Sequence, residues 1–433
     1  MRTRPRASSA INSTLARRLA ASLALLGLLL LAACGQSSAI AGRKATPTPT
    51  ARIAGKTTPT GSATASAGAT AQPTPTNAPF VCANPAGSSL TYAFVNADHQ
   101  IYMVSGCSAP VQLTTAPRAD PQSSPNPVAW SRSHRYLAYE PNLSQTDCLN
   151  ILDTTTSAVL NTRYDCYNGG TDPNGDVRSF VGWIDDNTFL GRIDSGVSNN
   201  PDPASLVRVD IHTQAETSLL STSWITDPRV RGSFVFFGSR VHPTDTNAYL
   251  SRLSLAGGSV THLVNLGLTG NGGCQVVPGP CSWTAPWDAS PDGAHILFHN
   301  PGADSLPSDT HMVPNTPIYY ANADGSGAVQ VLSGITAQGM TGAVFDPTGA
   351  RATAYVSSDY SSTDFVYQAL PQGALQRIAG SYSSVWRADG QAVVDVKTTY
   401  SGNLALSTAR LIDLATGQTT ALPANTTQYL WAS

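Results

Sequence analysis

From Leu90 to the C-terminus, apolar residues come in short runs that alternate with polar ones and stop at clusters of Gly, Pro, Asp and Asn; the stretches 90–95, 100–104 and 109–114 are typical. Alternation with a period of two, with no long stretch at helical spacing, predicts an all-β domain. Aromatic residues punctuate this pattern at intervals. Six of the seven tryptophans head a similar phrase: Val128-Ala129-Trp130-Ser131, Val181-Gly182-Trp183-Ile184, Trp224-Ile225-Thr226-Asp227, Trp287-Asp288, Val385-Trp386-Arg387 and Leu430-Trp431-Ala432-Ser433. Val344-Phe345-Asp346-Pro347 supplies an aromatic in the remaining gap, so seven anchors are separated by 53, 41, 63, 58, 41 and 45 residues. Strand-bearing repeats near 40 to 50 residues are the signature of propeller blades.

After each anchor the order is a turn, an apolar strand, a variable loop, a second strand, a turn and a closing strand. The clearest case runs from the turn Ser290-Pro291-Asp292-Gly293 through 294–298 and Ile318-Tyr319-Tyr320-Ala321 to the turn Asp324-Gly325 and the strand 329–332. These residues resemble the TolB-type, WD-like propeller repeat, and the resemblance spans nearly all of residues 90–433. It implies a β-propeller and says little about function, because the repeat serves unrelated roles. Leu430-Trp431-Ala432-Ser433 is an anchor strand with no blade after it, whereas 90–95, 100–104 and 109–114 are three strands with no anchor before them. The C-terminal strand is therefore expected to complete the first blade, giving seven four-stranded blades; six and eight are the alternatives.

The first 80 residues have another character. Arg2, Arg4, Arg6, Arg17 and Arg18 precede an uncharged apolar run from Leu19 to Ala33, as in a secretory signal. That run falls short of the roughly 20 apolar residues a membrane-crossing helix needs. Leu31-Ala32-Ala33-Cys34-Gly35 then resembles the lipobox of bacterial lipoproteins, which implies cleavage before Cys34 and a lipid on its thiol. Residues 1–33 are read as signal peptide and 34–80 as a flexible linker, since Ala, Thr, Pro, Ser and Gly dominate there and no apolar face exists to offset ordering entropy. Thr-Pro repeats such as Thr46-Pro47-Thr48-Pro49 favour extended geometry. The propeller domain is expected over 81–433, outside the cytoplasm and anchored to membrane through Cys34.

Charge narrows the partners. Sixteen of the 25 basic residues lie beyond residue 80, against all 27 acidic ones, and Lys397 is the one lysine there. An acidic domain lacks the Lys/Arg footprint that nucleic acid requires, so the expected partner is an extracellular or envelope protein or a glycan. Apart from Cys34 there are six cysteines, an even number that suits three disulfides in an exported protein. Six cysteines allow 15 connectivities. Pairing nearest neighbours, Cys82 with Cys107, Cys148 with Cys166 and Cys274 with Cys281, keeps each loop local; a metal cluster would want Cys-x-x-Cys or Cys/His spacing, which is absent.

No nucleophile elbow, zinc motif or phosphate-cradling glycine loop occurs, so neither a catalytic residue, a metal site nor a cofactor is assigned. His295 and His299, the closest histidine pair, fall on one predicted strand and stand roughly 13 Å apart at about 3.3 Å per residue. Asp172, Asn174 and Asp176 imitate the start of a calcium loop, but the glycine comes too early and the twelfth position is not acidic; a polar turn is the reading. The anchor tryptophans are expected to pack between blades, whereas Trp283, in a Gly/Pro-rich stretch after Cys281, is the one whose exposure would suggest binding. Two functions follow: a non-enzymatic binding or scaffold module, or an extracytoplasmic hydrolase or lyase using acidic residues in the propeller channel. Labelling cells with a radioactive fatty acid checks the anchor: the wild-type chain should take up label and Cys34→Ser should not, and equal label in both overturns the lipoprotein reading.

Overall fold

The structure is a computed structural model that describes residues 80–432 apart from 116–124, 142–147, 167–175, 195–203, 242–247, 267–286, 300–316, 336–338, 341–342, 358–362, 382–383 and 402–403. Cys34, the Cys274–Cys281 pair, Trp283, Asp172 and Asn174 lie outside the described residues. Every described element is a β-strand, and every pairing is antiparallel.

The described strands fall into groups of four, or five in one case, laid from inside outward in chain order except in the first. β1 (Thr91–Val95), β2 (Ile101–Ser105) and β3 (Val111–Gln112) share a sheet with β28 (Thr427–Trp431), which pairs with β1 as Tyr92↔Trp431 and Ala93↔Leu430. The C-terminal strand thus completes the first group. The second holds β4 (Asn126–Trp130), β5 (Tyr136–Glu140), β6 (Asn150–Asp153) and β7 (Val159–Asn161). β8 (Val177–Trp183), β9 (Thr188–Asp194) and β10 (Ala204–Asp210) lead into β11 (Glu216–Arg231), whose first half pairs with β10 and whose second half pairs with β12 (Phe234–Arg240). One long strand is therefore outermost in the third group and innermost in the fourth, which continues through β13 (Tyr249–Ser254) and β14 (Thr261–Asn265).

The fifth group is β15 (Trp287–Ala289), β16 (His295–His299), β17 (Ile318–Asn322) and β18 (Val329–Val331). In the sixth, β19 (Gly339–Met340) and β20 (Val344–Phe345) both pair with β21 (Arg351–Ser357), followed by β22 (Thr363–Ala369) and β23 (Leu375–Ile378). The last is β24 (Ser384–Trp386), β25 (Ala392–Ser401), β26 (Leu404–Asp413) and β27 (Thr419–Ala421).

Alternation puts one face of each group against its predecessor and the other against its successor, and an apolar cluster fills each seam. Leu137 and Leu152 meet Ala93, Val95 and Ile101 between groups one and two. Tyr136 and Ile151 meet Phe189 and Val209 at the next seam, and Leu297 and Ile318 meet Ala354 and Val366 between groups five and six. Val394 and Ala409 of the seventh group meet Tyr92, Phe94, Tyr429 and Trp431 of the first, so the ring closes on itself. This is a β-propeller. At Gly191 in β9 a Cβ would come within 2.5 Å of the ring of Tyr164 from the preceding group; only glycine admits that approach.

The anchors obey a rule that sequence spacing blurs. Matched by strand pairing, Trp431, Trp130, Trp183, Val230, Ala289, Phe345 and Trp386 occupy one equivalent position at the end of the innermost strand. Trp287 stands two residues before Ala289, and Trp224 six before Val230, so neither heads its blade as the spacing predicted. A tryptophan count ignores distance to the following turn, and the turn is what sets register. Trp287 still fills the seam with group four, because Ala289 is too small to do so.

At the equivalent position the indole reaches back one blade. Trp183 Nε1 donates to Ala129 O at 3.2 Å, and Trp130 Nε1 donates to Leu430 O at 3.2 Å, each acceptor being the residue before the previous anchor. Trp431 Nε1 instead donates to Asn84 Oδ1 at 2.9 Å. Where the anchors are Val230 and Ala289, charge takes over. Arg229 and Arg231 meet Asp288 Oδ1 at 2.8 and 3.3 Å, and Asp288 Oδ2 accepts the Phe345 amide at 2.9 Å, joining groups four, five and six through one carboxylate. Arg351 then reaches Gly390 O of the seventh group at 2.6 Å.

Trp431→Ala is expected to cost about 3–5 kcal/mol in denaturant unfolding, near the figure for emptying a buried aromatic site. Trp431→Phe, which keeps an aromatic ring but loses the indole N–H, should cost less. No measurable loss in the alanine variant would mean that β28 does not hold the ring.

Candidate functional site

Antiparallel order gives the ring two unlike faces. Connections between the first and second, and between the third and fourth, strands of a group leave from one face; those between the second and third, and from the fourth to the next group, leave from the other. On the first face all are short, as in 131–135, 154–158, 184–187, 211–215, 290–294 and 387–391. Aspartates close many of these turns by accepting backbone amides two or three residues on. Asp153, Asp210 and Asp413 each bind two such amides through Oδ1, and their carboxyls are held below the ordinary range by hydrogen bonds, led at Asp153 by the Arg135 guanidinium, at Asp210 by the Thr213 amide and at Asp413 by the Thr416 hydroxyl. The turn-face acids are thus occupied by turn geometry.

The second face carries the long connections: 113–125, 141–149, 162–176, 195–203, 241–248, 266–286 and 300–317. It is the candidate functional face, because long connections between strand ends of a rigid ring can vary in sequence without disturbing the core. Cys148–Cys166 lies here, tying 141–149 to 162–176 with Cα atoms 3.8 Å apart. Cys82–Cys107 lies on the turn face, with Cα atoms 5.5 Å apart. Both are the nearest-neighbour pairs expected from the sequence.

Beside Cys166, Asp165 takes a left-handed backbone (φ 46°) and accepts the Phe180 amide at 3.1 Å. Burial, with the Glu140 charge behind it, pushes its carboxyl up to about 6, while that amide bond pulls the other way. Glu140 in turn accepts Asn126 Nδ2 at 3.0 Å. Nothing in the sequence marked Asp165; the signal is burial, which exists only once blades two and three meet.

Other groups able to do chemistry are constrained. Ser239 Oγ and Ser251 Oγ lie 2.7 Å apart, and Ser251 Oγ lies 2.8 Å from His262 Nδ1, but both serines are buried while the histidine is exposed. A hydroxyl with no access to substrate is no nucleophile, so this chain of hydrogen bonds knits β12, β13 and β14. Among the described residues of the innermost strands, Asp227 and Asp288 are the acidic ones. Asp288 is buried and holds two arginines and an amide, which leaves Asp227, placed at φ 49° by a bulge in β11, as the described inner-strand acid outside that cluster. His295 stacks on Tyr320 at 5.0 Å, whereas His299 is buried with neither ring nitrogen hydrogen-bonded, and burial holds its pKa down to about 4. No group of three metal-ligating side chains gathers among the described residues.

The class is thus a β-propeller with one face of tight turns and one of long loops. No family model matches the sequence, and no curated protein matches it. Solved structures do match in fold. Prolyl endopeptidases align at 10% identity with a TM-score of 0.53, over 76% of this chain and 46% of theirs. TolB from Acinetobacter baumannii aligns at 12% identity and TM-score 0.42, over 81% of this chain and 68% of its own. An oligogalacturonate lyase in complex with manganese aligns at 14% identity and TM-score 0.47, over 75% and 83%. The β-propeller fold read from the repeat is the fold found, and at these identities the likeness is one of fold alone.

His299 and Asp165 give opposite pH slopes. A histidine lowered from 6.5 to about 4 binds its proton more readily when unfolded, so its contribution to stability is present above pH 6.5 and lost as pH falls toward 4. An aspartate raised to about 6 contributes below pH 3.8, and that contribution is lost as pH rises through 6. His299→Leu should therefore gain on wild type by up to about 3 kcal/mol between pH 6.5 and 4, and Asp165→Asn should gain on it between pH 4 and 6.5. Thermal unfolding across that range checks both; parallel curves for either variant would refute its assignment.

Proposed function

We propose that this chain is an extracytoplasmic lipoprotein, anchored through Cys34, whose propeller binds a protein or glycan with its loop face. One observation carries the reading. The chain enters the ring at 80–84 on the turn face, where Asn84 Nδ2 donates to Leu90 O and Gly106 O at 2.7 Å each. Residues 80–84 thus occupy the turn face and do not cover the opposite one, where the long connections offer variable sequence to a partner. The acidic domain favours a neutral or basic partner, with an encounter weakened by salt.

The competing reading, a channel hydrolase or lyase, needs acids free to transfer protons. A paired catalytic mechanism at the inner strands asks for two, and among the described ones Asp288 is committed to holding blades together, which leaves Asp227. That supports binding over turnover.

The test immobilises the full-length protein in mild detergent, captures partners from extracellular and envelope fractions, and assays glycoside, ester and peptide substrates in parallel. Capture is expected without turnover. Val241→Glu, at an exposed loop-face position, should weaken capture, and Ala415→Glu, on the turn face, should not. The reverse pattern contradicts the assignment of faces; turnover abolished by Asp227→Asn replaces binding with catalysis.

A further inference from the structure

The weakest point of any propeller closed by its own termini is the seam where the last strand joins the first blade without a covalent link. Here β28 pairs with β1 over a short register that slips between Ala93 and Val95. At Trp130 and Trp183 the anchor indole bonds to a carbonyl of the preceding innermost strand. At this seam the acceptor comes from residue 84, which is 347 positions away in sequence.

Asn84 is built for this position. It is buried, its Nδ2 donates to the carbonyls of Leu90 and Gly106, on either side of β1 and β2, and its Oδ1 accepts from Trp431. Three of the four hydrogen bonds an amide side chain can make are thus directed at two parts of the first blade and at the C-terminal strand. The residues around it follow the same course. Phe80 stacks on Phe94 with ring centroids 6.4 Å apart, and the Ala83 amide donates to Tyr92 Oη at 3.4 Å. Ala83 also sits in the apolar cluster that joins Tyr92, Tyr429 and Trp431 to Val394 and Leu422 of the seventh blade. Cys82–Cys107 then fixes this segment to the turn between β2 and β3.

We infer that residues 80–84 are a strap that locks the ring closed: the disulfide holds Asn84 in place, and Asn84 holds Trp431 and with it β28. The first blade is then completed from both ends of the domain, by β28 as a strand and by the strap as its clasp.

Hydrogen exchange of the full-length chain tests this, comparing C82S/C107S, Asn84→Ala and, as a control, C148S/C166S. The strap predicts that amides of β28 exchange at least about tenfold faster in C82S/C107S and in Asn84→Ala, through local opening of the seam, while those of β6 remain protected. The control should leave β28 protected. Unchanged protection of β28 in Asn84→Ala overturns the inference, as does a loss confined to residues 80–84 in C82S/C107S. If C82S/C107S fails to fold, Asn84→Ala, which retains both disulfides, decides the matter.

Discussion

Everything in this molecule depends on closing a ring of sheets whose first blade takes its innermost strand from the other end of the chain. A four-stranded antiparallel sheet with two apolar faces cannot stand alone in water. Each blade is stable because both faces are covered, and the cover is complete only if the seventh blade meets the first. The cluster of Tyr92, Phe94, Tyr429 and Trp431 with Val394 and Ala409 makes that meeting, and removing any side of it would expose a seam to water.

Two devices hold the centre, and they divide the ring. At blades two and three, indole N–H groups bond back to the preceding innermost strand; around blades four to six, where the anchor positions of four and five carry Val230 and Ala289, Asp288 gathers two arginines and the Phe345 amide. A buried carboxylate so surrounded is a structural hub, and removing its arginines would leave that buried charge uncompensated, which costs more than the pair contributes. That commitment ties blades four, five and six through one buried group. It fits a ring whose centre is structural and whose variable part is one face.

The faces differ for a simple reason. Turn-face connections are sealed by Asp side chains on backbone amides, so length and composition there are dictated by turn geometry. Loop-face connections answer to no such constraint, and there the sequence spreads into long stretches rich in Asn, Asp, Ser, Pro and Gly. The segment 80–84 joins the ring on the turn face, opposite the long connections.

By itself the sequence determined the strands, their grouping and the closing role of Leu430-Trp431, because period-two alternation, turn residues and a recurring aromatic are all local or regularly spaced. It also indicated the Cys82–Cys107 and Cys148–Cys166 pairs, each joining connections close along the chain. Only the tertiary structure decided which aromatics are equivalent: Trp224 and Trp287 sit out of step with the others, since register follows strand pairing and not the count from one tryptophan to the next. It alone brought Asn84 to Trp431, Asp288 to Arg229 and Phe345, and Asp165 into a setting that raises its carboxyl pKa. Those contacts join residues from different blades, or from opposite ends of the domain, and the burial that gives them their chemistry arises only when the ring closes.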